Sequence, residues 1–139
     1  MANQKKLKAS QSVSGQVTLP GSKSITNRIL LLSAISKGAT TIKNTLSSDD
    51  THYMIEALKK LQVELTQKNS GDIIIQGTSG SFKNKSAEIF LGNAGTALRP
   101  LTAVLSLSQG SYTLSGVQRM NERPIKDLVD ALLQLNADI

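Results

Sequence analysis

Apolar residues follow helix-like and strand-like spacings in turn along the first part of the chain. Gln16 to Leu19 alternates apolar and polar residues and stops at Pro20-Gly21, which predicts a strand that leads into a turn. Ser24 to Ser36 places apolar residues at helical intervals, with Gly38 positioned to end the helix. Thr40 to Lys43 is typical of another short strand. The pattern therefore predicts a strand, a helix and a strand in succession.

The next segment is typical of a capped helix followed by a β-hairpin. The cluster Ser47-Ser-Asp-Asp50 supplies side-chain oxygens that can cap a helix ending near Leu61. Val63 to Thr66 and Ile73 to Gln76 are predicted strands, and Asn69-Ser-Gly-Asp72 between them favours a turn. Together the patterns predict a unit with the order β-α-β-α-β-β.

The same order of patterns recurs just over 70 residues later. Gly21 to Arg28 matches Gly92 to Arg99 at an offset of 71 residues, since a glycine precedes an arginine by seven positions in both. Glu56 to Leu65 matches Asp130 to Ile139 at an offset of 74. The second copy begins with a predicted strand at Glu88 to Leu91. This internal repeat predicts an α/β (α+β) fold built from two copies of one unit.

The second copy is truncated. Ala137 to Ile139 corresponds to Val63 to Leu65, which opens the hairpin of the first copy, and no residue follows Ile139. A strand without a neighbour leaves its backbone groups unpaired. We therefore expect a fragment of a longer protein or one piece of a multi-chain assembly. The alternative is a natural short protein that completes its contacts by dimerising.

The composition mainly excludes classes of protein and kinds of site. A chain of 139 residues is about one average domain. Its apolar stretches are too short to span a bilayer, and its charged first residues precede no hydrophobic segment. We therefore expect no membrane partner and a cytoplasmic location. The chain has no cysteine and one histidine, which excludes disulfides, thiolate catalysis and metal sites built from cysteine or several histidines.

The charge distribution predicts an anionic partner. The net charge is +6, and residues 1–48 contain seven lysines or arginines and no acidic residue. Nucleic acid is not the expected partner, because the chain has only two Tyr, two Phe and no Trp and lacks a groove-binding motif. A small phosphorylated or carboxylated ligand fits this composition better.

The first Gly-to-Arg segment offers a candidate anion site where a predicted strand gives way to a predicted helix. Backbone N–H groups and the helix dipole favour anions at such a position. Lys23, Ser24 and Arg28 would add an ammonium, a hydroxyl and a guanidinium group there. The same residues are also compatible with a serine cap and two solvated cations.

The second segment, Gly92 to Thr96, is rich in small residues that would let a ligand approach the backbone closely. A tight turn that requires positive φ is the alternative interpretation. Further along, Arg99-Pro100 should kink or delay the helix, because proline lacks an N–H group.

A third basic segment follows. Arg119 and Arg123 bracket a predicted loop, Met120-Asn-Glu122, and Pro124 suits the first position of the next helix. Arg123 would then lie at a helix start, unless it is simply a solvated arginine.

Two acidic residues and the histidine are weaker candidates. Asp49-Asp50 could serve acid–base chemistry or Mg²⁺, but helix capping explains the pair better. His52 is expected at or near the surface. No nucleotide-binding P-loop motif is present in the sequence.

The motifs resemble a known family. Leu19 to Arg28 and Leu91 to Leu101 resemble the two signature segments of the 5-enolpyruvylshikimate-3-phosphate synthase family, and Asn121 to Ile125 resembles its third N-terminal motif. The similarity covers essentially the whole chain, and the run Asn-Ala-Gly-Thr-Ala-x-Arg-Pro is highly specific. The sister family, UDP-N-acetylglucosamine enolpyruvyl transferase, is a more distant alternative because it usually uses a cysteine and differs in the first motif.

The resemblance implies a domain organisation and an activity. The family builds two domains, each from three β-α-β-α-β-β units. Residues 1–20 would be a strand segment of the first domain, and residues 21–139 part of the second, as a unit at 21–87 and a truncated unit at 88–139. The implied reaction transfers the enolpyruvyl group of phosphoenolpyruvate to the 5-hydroxyl of shikimate 3-phosphate with release of phosphate. It requires no metal or organic cofactor.

The resemblance also implies residue roles. The residues assigned to shikimate 3-phosphate are Lys23, Ser24 and Arg28. Those assigned to phosphoenolpyruvate are Lys23, Gly95 and Arg123. Those that shape the pocket are Asn93, Thr96, Arg99 and Pro100. A residue 95 without Cβ resembles the form that glyphosate inhibits.

Two hypotheses from different classes follow. The chain is an enzyme fragment, inactive without the remainder of the same enzyme because the acid–base carboxylates lie beyond Ile139, or it is a stand-alone anion-binding module without turnover. In both, Lys23, Arg28 and Arg123 must converge on one cleft.

Overall fold

The first unit forms a three-stranded antiparallel sheet with two helices. The computed structural model describes residues 5–139. The strands have the order β1-β3-β2, and Ile42 pairs with Ile73 at one end of the β1–β3 ladder. The elements are α1 (Lys23–Ile35), β1 (Lys37–Ile42), α2 (Asp49–Lys60), β2 (Leu65–Gln67) and β3 (Ile73–Thr78).

Serine side chains begin both helices of this unit. Ser22 accepts a hydrogen bond from the Ile25 N–H at 3.4 Å at the start of α1. At the start of α2, Ser48 and Thr51 exchange hydrogen bonds between side chain and backbone, which forms a capping box. These caps satisfy N–H groups that a helix leaves unpaired in its first turn.

The second unit is a parallel strand–helix–strand crossover followed by two more helices. β4 and β5 pair in parallel from Ser86 with Ser111 to Phe90 with Ser115. The elements are β4 (Ser86–Phe90), α3 (Gly95–Ser106), β5 (Ser111–Ser115), α4 (Gln118–Asn121) and α5 (Lys126–Gln134).

One hydrophobic core joins the two units. Leu30 of α1, Leu58 of α2 and Leu101 of α3 are fully buried in the same cluster, together with Ile75 and Ile89 from the two sheets. Burial of a large aliphatic side chain contributes about 1.5–3 kcal/mol relative to exposure. The shared core fixes the starts of α1, α2 and α3 relative to one another.

The structure confirms most of the predicted elements and the α/β fold class. The helix predicted at Ser24 to Ser36, the Ser-capped helix before Leu61 and the antiparallel hairpin are all present. Within residues 5–139, no helix is long and apolar enough to cross a membrane.

The two terminal strand predictions are wrong. Neither Gln16 to Leu19 nor Ala137 to Ile139 forms a strand. Val17 and Leu19 are 80 % and 76 % exposed, and no strand pairs with them. Because strand pairing requires a partner, an alternating pattern without one stays irregular. The first unit therefore lacks its opening strand, and the second lacks its hairpin. Residues 1–4 of the predicted N-terminal segment lie outside the described residues.

Several local predictions around the second unit also require correction. Pro100 does not delay α3, which begins five residues earlier at Gly95, because burial of Ala97, Leu101 and Leu105 offsets one lost hydrogen bond. The predicted loop from Met120 to Glu122 is largely the short helix α4, with Met120 buried in the core.

Two predicted helix boundaries are displaced. Pro124 does not begin the last helix, because α5 starts at Lys126. α1 ends at Ile35, three residues before the glycine expected to end it, and Gly38 lies inside β1 with φ of 83°. Arg123 is therefore not at the start of α5.

Candidate functional site

The candidate site lies where α1, α2 and α3 begin. Asn27 is fully buried and donates from Nδ2 to the Thr96 hydroxyl at 2.8 Å, which ties α1 to α3. The Thr96 hydroxyl donates in turn to Asp50 Oδ2 at 2.7 Å, which ties α3 to α2. Three helix N-termini therefore meet at one hydrogen-bonded point, and each carries the positive end of a helix dipole.

The start of α3 differs from the other two. Ser22 and Ser48 cap α1 and α2, whereas no side chain caps α3 at Ala94. The first-turn N–H groups of Gly95 and Ala97 donate to the Asn93 and Ala94 carbonyl oxygens, and the positive end of the helix dipole at this uncapped start is suited to an anion. The residue after Ala94 is Gly95, whose lack of a side chain lets another group approach the backbone closely.

Arg123 lies over this helix start. Its Nη2 and Nε donate to the Asn93 Oδ1 at 2.9 and 3.2 Å. An ideal Cβ on Gly95 would lie 2.6 Å from Arg123 Nη1, so the guanidinium occupies the space that a side chain would need. Asn93 is a neutral partner, and the positive charge of Arg123 has no salt bridge within residues 5–139.

Two adjoining cavities share the centre of this site. One, of about 430 Å³, is lined by Lys23, Tyr53, Asn93, Gly95 and Arg123 among others. The other, of about 450 Å³, is lined by Ser24, Arg28, Gly95, Arg99, Pro100 and Arg123 among others. Thr96 lines both.

The cavities bring the three predicted cations together. Lys23 and Arg123 share the first cavity, and Arg28 and Arg123 share the second. Arg99 Nη1 donates to the Pro124 carbonyl at 2.8 Å, which holds the segment after Arg123 against α3. The structure thus places the predicted site residues around two cavities that share Gly95, Thr96 and Arg123, although Arg123 reaches them from a loop and not from a helix start.

Sequence reasoning favoured capping for Asp50 over acid–base chemistry or Mg²⁺, and it did not consider Tyr53. Asp50 Oδ2 lies 3.4 Å from Lys23 Nζ, and the two side chains are 19 % and 45 % exposed. Tyr53 lines the first cavity and packs edge-on against Phe90 with ring centroids 5.9 Å apart. The one usable sequence signal was the acidic pair in an otherwise basic half, since a carboxylate beside cations is a natural ion-pair partner.

Of the remaining candidates, Asp49 lines the first cavity, whereas His52 lines neither cavity. His52 is exposed, as expected, and its ring centroid lies 6.0 Å from that of Tyr53. Within the described part of the chain, no three His, Cys, Asp or Glu side chains are grouped so that they could hold a metal ion.

Comparison with known proteins places this chain in a family. A family model described as EPSP synthase (3-phosphoshikimate 1-carboxyvinyltransferase) matches residues 7–139. A protein of that name from Nitrosomonas eutropha is 62 % identical over 125 residues, which cover 90 % of this chain and 29 % of the relative. One from Cellvibrio japonicus is 60 % identical over the same shares of the two chains.

Solved structures agree with these sequence matches. EPSP synthase from Acinetobacter baumannii superposes with a TM-score of 0.82 at 26 % identity, over 89 % of this chain and 28 % of that one. This chain thus spans less than a third of the length of the relatives it matches. The match over nearly all of its residues, in sequence and in fold, shows that the chain belongs to the EPSP synthase (3-phosphoshikimate 1-carboxyvinyltransferase) family.

Proposed function

We propose that this chain contributes the N-terminal part of the substrate site of a 3-phosphoshikimate 1-carboxyvinyltransferase. The enzyme would transfer the enolpyruvyl group of phosphoenolpyruvate to the 5-hydroxyl of shikimate 3-phosphate and release phosphate. The observation that carries the proposal is the grouping of Lys23, Arg28 and Arg123 around Gly95. The chain would act with the remainder of the same enzyme, in the cytoplasm and without a metal or organic cofactor.

The cavity beside α1 suits shikimate 3-phosphate. Ser24 offers a hydroxyl and Arg28 a guanidinium on the same wall. A planar guanidinium binds a phosphate through two parallel hydrogen bonds, and a hydroxyl can add a third. Lys23 lies one residue before Ser24 and lines the neighbouring cavity, so its ammonium group would contact both substrates.

The cavity beside α3 suits phosphoenolpyruvate. Arg123 and Lys23 supply two positive charges, and Gly95 leaves room for the Arg123 guanidinium at the uncapped helix start, where a carboxylate or phosphate would bind. Asn93 and Thr96 would hold the walls, and Arg99 would keep the Arg123 segment in place.

Such an arrangement would promote the transfer in two ways. Both substrates carry several negative charges, so fixed cations between them lower the repulsion that opposes their approach. Fixed binding also orients the 5-hydroxyl oxygen toward the carbon to which it adds. The groups that move protons are assigned to the remainder of the enzyme, beyond Ile139.

A full-length chimera tests the proposal. Residues 1–139 are joined in one polypeptide to the remaining part of the Nitrosomonas eutropha relative. The folded chimera should release phosphate from phosphoenolpyruvate only when shikimate 3-phosphate is present. A folded chimera that binds phosphoenolpyruvate but releases no phosphate would instead support an anion-binding module without turnover.

Two substitutions in the chimera locate the substrate contacts. Arg123→Ala should raise the KM for phosphoenolpyruvate about tenfold, since a hydrogen bond to a charged group contributes about 1.5–3 kcal/mol. Arg119→Ala removes an equal charge from the exposed surface of α4 and should leave that KM unchanged. Gly95→Ala should displace the Arg123 guanidinium and weaken glyphosate more than shikimate 3-phosphate. Equal losses for both ligands would contradict the placement of Gly95.

A further inference from the structure

Helix capping does not explain the position of the Asp50 side chain. Ser48 and Thr51 form the cap of α2, and Asp50 lies in the first turn beyond it. Its carboxylate points away from its own helix, accepts a hydrogen bond from Thr96 and lies beside Lys23. Asp50 therefore contacts α3 and α1 at once.

The polarity of these hydrogen bonds is fixed by their chemistry. The carboxylate of Asp50 can only accept hydrogen bonds, so the Thr96 hydroxyl must donate its single proton to this carboxylate. Thr96 must then accept from Asn27, which requires the NH₂ group of Asn27 to face it. An amide turned the other way would place two acceptors against the Thr96 oxygen with one proton between them.

This arrangement anchors the carboxylate in the core. Asn27 is fully buried on α1, and its Nδ2 also lies 3.4 Å from the Asp50 carbonyl oxygen. Lys23, by contrast, has a 45 % exposed side chain with four rotatable bonds. The fixed Asp50 carboxylate is therefore the group that can restrict the motion of the Lys23 ammonium.

A carboxylate in this position is unfavourable for simple anion binding. It repels a negatively charged ligand and partly neutralises Lys23. A site selected only for affinity would be better without it. A site that must hold Lys23 in one orientation gains from it, because precise orientation of a reacting pair accelerates the chemical step.

We propose that Asp50 is a positioning residue, whose carboxylate, fixed by Asn27 through Thr96, aims the Lys23 ammonium group into the cavity it shares with Gly95 and Arg123. The inference rests on the function proposed above. It assigns to Asp50 an effect on turnover that is separate from substrate affinity.

The test compares Asp50→Asn with Asp127→Asn in the full-length chimera. Both remove one charge from the first turn of a helix, but Asp127 is an exposed residue of α5, and only Asp50 contacts Lys23 and Thr96. Asp50→Asn should lower kcat at least tenfold while the KM for phosphoenolpyruvate stays the same or falls. Asp127→Asn should change kcat less than twofold. An unchanged kcat in Asp50→Asn, or an equal loss in both variants, would overturn the proposal.

A double-substitution cycle separates positioning from general structural support. If Asp50 acts through Lys23, adding Asp50→Asn to Lys23→Met should lower kcat less than twofold further. If the two substitutions lower kcat independently and additively, Asp50 does not act through Lys23. If Asp50→Asn does not fold, Thr96→Val and Thr96→Ser provide the test. The serine retains the hydroxyl and should be at least fivefold more active than the valine, and equal activities would count against the proposal.

One readout does not depend on turnover. In a crystal structure of Asp50→Asn, the Lys23 Nζ should leave the position that it holds in the parent protein, whereas in Asp127→Asn it should stay. An unmoved Lys23 would overturn the positioning role even in an active enzyme. A displaced Lys23 in a chimera that releases no phosphate would support the positioning role and reject the proposed activity.

Discussion

The repeated sequence pattern is packed on both sides in the first unit, whereas one side of it is exposed in the second. Leu61 follows α2 and is fully buried, whereas its counterpart at the 74-residue offset, Leu135, is 72 % exposed. α2 has five buried residues and α5 has one, Leu132. The hairpin of β2 and β3 covers the first unit, and residues 5–139 contain no such hairpin for the second. Residues at equivalent positions of the two units are therefore buried to different extents, because a hairpin packs on the first unit and not on the second.

The open side of the second unit is a groove. A cavity of about 600 Å³ lies beside β5 and α5 and is lined by Leu105, Tyr112, Leu114, Val129 and Ile139 among others. In the first unit, the corresponding strand β1 pairs along its whole length with β3. Within residues 5–139, β5 pairs only with β4, so its other edge has no such neighbour.

Leucine truncation should show the largest difference between the units. Leu61→Ala should destabilise the 139-residue chain by about 2–5 kcal/mol, because it opens a cavity in a packed core. Leu135→Ala should cost less than about 0.5 kcal/mol, since the side chain is already largely in water. Urea unfolding followed by circular dichroism measures both.

The full-length chimera sharpens this prediction. If a hairpin covers the groove there, Leu135→Ala should become about as costly as Leu61→Ala. A cost for Leu135→Ala that remains near zero in the chimera would show that the second unit is not completed like the first.

The motif glycines should give an intermediate effect. Gly92 has φ of 54°, and an ideal Cβ on it would lie 2.3 Å from the Tyr53 ring. Gly92→Ala should destabilise the chain by about 2 kcal/mol, from overpacking and from left-handed backbone strain. Its counterpart Gly21 has no positive φ and would instead meet the Asn44 carbonyl oxygen at 2.2 Å.

A Tyr53→Ala background separates the two contributions at Gly92. Removal of the ring should leave only the backbone strain, so Gly92→Ala should then cost about 1 kcal/mol. The same denaturant measurement applies. An equal cost in both backgrounds would mean that Tyr53 does not restrict residue 92.

The smallest effect is expected from an exposed ion pair of the first unit. Lys83 Nζ lies 2.5 Å from Glu64 Oε1, and this hydrogen bond holds the pKa of the Glu64 carboxyl below its ordinary value. Because folding lowers this pKa, the ionised carboxyl stabilises the folded chain at pH values above the ordinary pKa. This stabilisation is lost as the pH falls through the lowered pKa. Both side chains are more than 60 % exposed, so salt screening keeps the contribution small.

An NMR titration of the Glu64 carboxyl carbon tests this directly. Its midpoint should lie below the usual glutamate range at low salt, and Lys83→Met should raise it toward that range. Added salt should have a similar but weaker effect. A midpoint that ignores both changes would show that Lys83 does not hold the carboxyl.

Much of the fold could be predicted because it depends on local chemistry. The serine cap of α2, the helical spacing of α1 and the turn between β2 and β3 are each encoded within a few residues. The errors occurred where a distant partner decides the outcome. Gln16 to Leu19 has a strand pattern but no neighbouring strand. Pro100 lies within a helix because the burial of Leu101 and Leu105 offsets the hydrogen bond that proline loses.

The candidate site divides in the same way. The motif residues Lys23, Arg28 and Gly95 could be selected from the sequence, because glycines and cations near helix starts have a clear chemical meaning. The approach of Arg123 to Gly95 could not be predicted from the sequence, because it depends on a loop that crosses the start of α3.

By itself, the sequence determined the repeated unit, the helix starts and the basic character of the cleft, because these follow from residue type and short-range spacing. Only the tertiary structure decided that Asp50 faces Lys23 and Thr96, and that Leu61 is buried while Leu135 is not. Burial and ion pairing depend on which groups the whole chain brings together, and residues 46 positions apart, such as Asp50 and Thr96, meet only when the core packs.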